Sequence, residues 1–287
     1  MTQTRAQNPL AQFMRQPKIY ISLPSQGEYY PPGSIDLGET GQLAVYSMTA
    51  KDELSLNIPD ALMNGQAVVD VIQHCIPQIK NAWAVPSIDL DLILIAIRLA
   101  TYGEMMTTPV KLKDDLEFEY QVDLRIVMDS LLDNIHWDPV IPINSEMTVY
   151  VRPLTYKHVT KAALRTFETQ KIMQVVNDEK ISEEDKTRIF KDSFIKLTEV
   201  TIDVIADSIC KVETSAGVVD DNQYIKEFIN NADKEIFNII QGHLEKLKQQ
   251  NSIRPLVIEV TDEMREHGIT DDTVEVPLIF DPANFFA

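Results

Sequence analysis

The chain has 287 residues, 44% of them hydrophobic, and its 26 Lys+Arg against 44 Asp+Glu give a net charge of −18. That supplies apolar material for one large domain or two smaller ones, while the acidic balance works against binding a phosphate backbone. Its two cysteines, Cys75 and Cys210, are too few and too far apart for a disulfide scaffold and fit a reducing cytoplasm.

Residues 1–17 are rich in Gln and Thr without periodicity and read as a flexible arm, with no apolar run of signal-peptide length. KIYISLPS (18–25) alternates apolar and polar residues, as a strand does. Pro31 and Pro32 in GEYYPPGS (27–34) remove two backbone donors and predict a turn. A short strand over 43–47 follows. Thr49 with Asp52 three residues on predicts a capped helix start, and Pro59 suits the first turn of another short helix. Asn64 and Gly65 break the chain before a helix over 67–76. Ser87 is the predicted cap of the next helix, with Asp89 in its first turn. This helix is apolar nearly all round, so it should be buried nearly all round, and Gly103 should end it. The most apolar stretch, 88–100, is cut by Asp89, Asp91 and Arg98 and is too short to span a bilayer.

Two strand-like segments, 107–111 and 118–122, predict a hairpin around the acidic turn KDDL (113–116). An amphipathic helix is expected over 123–134. Pro139 and Pro142 make 135–145 read as a connector, and MTVYVRPL (147–154) reads as a strand. The character then turns helical: 155–176 capped by Thr155, a long helix from Ser182 to about residue 211, and two more over 221–230 and 233–248. On the long helix Phe190, Phe194, Leu197, Val200 and Val204 form one stripe, and Ile195, Ile202, Ile205 and Ile209 another. Two stripes imply two packing partners, as in a helical bundle. The tail, from RPLVIEV (254–260) onward, is extended again.

The predicted architecture is α+β and mostly helical. The expected organisation is an arm (1–17), an α+β lobe with a small antiparallel sheet around the buried helix (18–146), and a mainly helical lobe with an extended tail (147–287).

Four segments carry a family resemblance: PDALMNG (59–65), DLDLILIAIRLATYGEMM (89–106), VRPLTYKHVTKAALRTFETQ (151–170) and VPLIFDPANFFA (276–287). In order and joint presence they resemble the baseplate hub family of T-even-like contractile-tailed phages, from about residue 20 to the C-terminus. The resemblance implies a non-enzymatic viral protein that builds the central hub of the tail baseplate through protein–protein contacts. Its partners would be other tail or baseplate hub proteins, and self-association is left open. It also implies an alternative: a tail assembly chaperone that binds the tape-measure protein and is absent from the mature virion. The implied setting is the host cytoplasm during assembly, then the virion tail baseplate. Relatives often carry paired cysteines in the hairpin after the TYG motif, resembling a zinc knuckle. Here 105–120 has no Cys and no His, so no zinc site is carried over.

The residues themselves point to no catalytic set, cofactor, metal, nucleic acid or membrane. His74, His136, His158, His243 and His267 share no metal-ligand spacing. His74 and Cys75 are neighbours, so on a helix they diverge by about 100°, and Cys75 reads as a small buried thiol. Asp89, Asp91 and Arg98 read as a helix start plus an arginine that snorkels or pairs elsewhere, against the sharper reading of a buried carboxylate site. The acidic run over 177–185 lacks the ligand order of a calcium loop. An assembly-associated hydrolase, the reading from another class, would need acid, base or nucleophile at Cys75, His158 or Asp91. At the chain end, Phe280, Phe285 and Phe286 form the candidate interface; they either fold back on their own domain or anchor a neighbouring subunit.

Overall fold

A computed structural model of the chain describes residues 14–111, 117–175, 182–266 and 270–276. It is an α+β protein, mostly helical, with small antiparallel sheets. The sequence-predicted hairpin turn at 113–116, the run 177–181 and the chain end with Phe280, Phe285 and Phe286 lie outside the described residues.

The first core is built around one helix. Strands β1 (Pro17–Ser22) and β2 (Gln42–Tyr46) pair antiparallel and cover it from one side. Helix α1 (Ala50–Leu56) opens on a capping arrangement: the Thr49 amide and hydroxyl each donate to the Asp52 carboxylate at 2.7 Å. Helix α2 (Pro59–Met63) starts on its proline. Gly65 then precedes α3 (Gln66–Cys75) with φ of 80°. Glycine is required there on two counts: the left-handed backbone, and the approach of Thr160, whose Cγ2 would lie 2.9 Å from an added Cβ.

Helix α4 (Ser87–Tyr102) follows a 3-10 turn at Ala82–Ala84. Ile88, Leu92, Ile93, Leu94, Ile95, Ala96, Ile97 and Ala100 are all buried, as its all-round apolar sequence predicted. Its cap differs from the prediction. Pro86 holds the capping position and Ser87 is already helical, its amide donating to the Leu154 carbonyl at 2.8 Å. Gly103 ends the helix at φ 92° but with extended ψ, so it turns the chain straight into a strand rather than into a left-handed cap. Strands β3 (Met105–Lys111) and β4 (Glu117–Asp123) form the predicted hairpin, and α5 (Leu124–Asn134) is capped by Asp123.

The second core surrounds a four-stranded sheet of order β5-β6-β7-β8, with β5 (Val140–Asn144), β6 (Met147–Val151), β7 (Ile209–Thr214) and β8 (Gly217–Val219). The connector expected over 135–145 is therefore partly a strand. Pro142 fits because β5 is an edge strand, where a missing donor costs nothing. Helix α6 (Tyr156–Val175) runs out and α7 (Glu183–Ser208) runs back. The long helix thus ends at Ser208, short of residue 211, because Ile209 and Val212 leave the helix to face the sheet's buried side. Helices α8 (Asn222–Asn231) and α9 (Lys234–Gln250) close this core through Ile225, Ile229, Ile240 and Leu247. A last hairpin, β9 (Leu256–Glu259) with β10 (Thr273–Val276), encloses the short helix α10 (Asp262–Glu266).

Candidate interaction surface

The chemical candidates resolve into structural groups. Cys75 is fully buried, and burial, aided by Asp52 and opposed by Arg15, pushes its thiol up to about 12. A thiol held neutral at physiological pH is no nucleophile. His74 instead bonds Asp52 through Nδ1 at 2.7 Å. Burial opposes ionisation of Asp52, but the Thr49 amide and hydroxyl and His74 outweigh it and hold the carboxyl below its usual range. The whole set fastens α1 to α3. His158 accepts or donates at 2.8 Å to Thr155 at the start of α6, and His243 contacts the Asp138 carbonyl at 3.0 Å. The five histidines are thus dispersed, with His267 outside the described residues. Among the described residues no group of three or more His, Cys, Asp or Glu could hold a metal ion.

Asp89 departs from the simple helix-start reading. It is fully buried and accepts from the Ser25 amide at 2.9 Å and the Ser25 hydroxyl at 2.5 Å. Burial raises its carboxyl above the usual range despite the opposing Ser25 hydrogen bonds. The Tyr30 hydroxyl lies near this charge, buried, and makes no hydrogen bond of ordinary geometry among the described residues. The carboxylate ties the start of α4 to the loop after β1. Asp91 receives no such support, and burial alone pushes it up to about 6. Arg98 lies over the Tyr102 ring at 5.2 Å. Asp89 and Asp91 share the first turns of one helix, but Asp89 is spoken for by Ser25, so no acid–base pair is assembled.

The feature that sequence reasoning misjudged is the long helix. Its stripe was expected to be a bundle seam. In the structure Phe190 is 59% and Phe194 62% exposed, while Ile205 and Ala206 further along are buried in the second core. Helix α7 therefore runs past its core and pairs there with α6, giving a two-helix hairpin. Its inner seam holds small polar groups, with Thr169 and Ser193 both buried.

One side of this hairpin is charged. Arg165 bridges Asp203 at 2.7 Å, and Lys226 of α8 meets the same carboxylate. Burial works against that charge, yet Lys226 and Arg165 hold the Asp203 carboxyl below its usual range. The other side carries the apolar residues. At about 100° per residue, Phe194 lies roughly 180° from Asp203, and Phe167 roughly 160° from Arg165. On α6, Val159, Ala163, Phe167 and Gln170 recur at helical spacing and are all exposed; on α7, Phe190, Phe194, Leu197 and Thr201 do the same, Leu197 partly covered. Eight uncharged side chains on two adjacent helices thus make a largely apolar face, bordered one turn beyond Phe167 and Phe190 by Lys171 and Lys186, that nothing in the described chain covers.

Such a protein offers a surface for contacts and no assembled catalytic set among its described residues. The chain belongs to the family described as T4 bacteriophage base plate protein, which matches residues 17–285. That family fits a structural protein of the phage tail baseplate, in contact with other baseplate or tail proteins. No curated protein and no solved structure matches the chain. No helix among the described residues is long and apolar enough to cross a membrane.

Proposed function

We propose that this chain is a component of the central hub of the tail baseplate, made in the host cytoplasm and acting through protein–protein contacts without catalysis. The family match over residues 17–285 supports the baseplate setting. The single observation that carries the mode of action is the largely apolar face of the α6–α7 hairpin, with Phe190 and Phe194 mostly in solvent. Exposed aromatic side chains of this size are characteristic anchors of protein interfaces. The aromatic chain end, with Phe280, Phe285 and Phe286, is proposed as a second anchor, since each ring would gain about 1.5–3 kcal/mol on burial.

Quantitative mass spectrometry of purified virions beside the infected-cell lysate tests the reading. Presence in the particle at a fixed ratio to other baseplate proteins supports a hub component. Abundance in lysate with absence from virions overturns it in favour of an assembly chaperone whose client is the tape-measure protein.

A further inference from the structure

We propose that the largely apolar face of the α6–α7 hairpin is a homodimer interface, two hairpins packing across a two-fold axis into a four-helix bundle. This rests on the contact-surface reading above and names the occupant of that surface as a second copy of the chain.

Charge distribution is the first argument. A chain of net charge −18 repels its own copies. Two copies can approach closely only where the surface lacks ionised groups, because burying one unpaired is costly. The face formed by Val159, Ala163, Phe167 and Gln170 with Phe190, Phe194, Leu197 and Thr201 offers such a surface, with Lys171 and Lys186 at its border. Of the hairpin's charges, Asp203 is engaged on the opposite side by Arg165 and by Lys226 of α8.

Shape is the second. The α7 stripe is bulky, with Phe190 and Phe194; the α6 stripe starts with Val159 and Ala163. A two-fold axis parallel to the hairpin sets each copy's α7 against the other's α6, root beside root, and the small Val159 and Ala163 let the two hairpins approach closely there. Each stripe runs over twelve residues, about 16 Å of helix from first to last. One added helix from another protein would fill the single groove between α6 and α7 and leave the outer flanks wet.

Area is the third. Phe167 is 45%, Phe190 59% and Phe194 62% exposed. At about 200 Å² per ring these three alone offer roughly 330 Å². A standard interface buries about 800 Å² per partner, somewhat more than half of it apolar. The three rings therefore supply most of the apolar area one side of a stable dimer needs.

The test is the mass of the full chain in solution by light scattering after size exclusion, together with the concentration dependence of its melting temperature. The wild type is expected at twice its 32.6 kDa, with a Tm that rises with protein concentration. The double substitution Phe190→Glu, Phe194→Glu should give a folded monomer with a concentration-independent Tm, the dimer Kd weakened on the order of 1,000-fold or more. Ile195→Glu, on a neighbouring exposed position about 100° from Phe194, should leave the dimer intact. A monomeric wild type overturns the proposal, as does a double variant that stays dimeric or an Ile195→Glu chain that becomes monomeric. If the wild type is monomeric yet present in virions, the dimer falls while the hub reading stands; a dimer absent from virions gives the reverse.

Discussion

Asp91 offers a way to convert one buried charge into a measured stability. Burial raises its carboxyl from an ordinary 3.8 to about 6. In the unfolded chain the same group titrates near 3.9. Between these two values the folded state holds the proton more tightly, so unfolding releases it and stability falls as pH rises through the window. Above about 6 the penalty is complete and constant. A shift of about two pH units corresponds to about 3 kcal/mol, and since Asp91 keeps part of its surface in water, screening reduces this to about 1–2 kcal/mol. Asp91→Asn keeps the shape and removes the charge. We expect the variant to be more stable than wild type by about 1–2 kcal/mol at pH 7, and equal to it near pH 3.5. Urea unfolding followed by circular dichroism at pH 3.5, 5 and 7 measures both numbers. A variant less stable at pH 7, or a difference that does not change with pH, would refute the account of Asp91 as an unsupported buried carboxylate.

Ser25→Ala should destabilise the fold by about 1–3 kcal/mol, seen as a lower Tm, because Asp89 loses its hydroxyl donor in a site closed to water. Thiol labelling of the native protein at pH 8 should leave Cys75 unmodified until denaturant is added, since its thiol is pushed up to about 12 and fully buried; rapid native labelling would contradict that burial.

Much of the first core was legible because it rests on local signals. Thr49 with Asp52, Pro59, Gly65 and Gly103 mark boundaries that the backbone must obey, and an all-apolar helix such as α4 has nowhere to go but inside. The second core was less legible for a physical reason. Pro142 looks like a strand breaker until one knows that β5 sits at the sheet edge. Ile209 and Val212 continue helical spacing, so only the strand pairing with β6 shows that α7 has stopped. Asp89 looked like a helix-start residue because Ser25, which accounts for its burial, is 64 residues away in sequence. The apolar stripe on α7 was readable; that its first half meets no partner within the described chain depends on where the helix leaves its core, which periodicity does not contain.

The hairpin's two roots stand on different ground. Tyr156 at the base of α6 is stacked on Trp83 at 5.6 Å and its amide donates to the Val85 carbonyl, both in the first core. The base of α7, Ile205 to Ser208, is set in the second core. With helices about 10 Å apart at the roots and an arm about 30 Å long, the hairpin works as a lever. A 1 Å slide of one root past the other would swing its far end by about 3 Å. Whatever grips the exposed phenylalanines therefore also reports, and resists, any relative shift of the two cores.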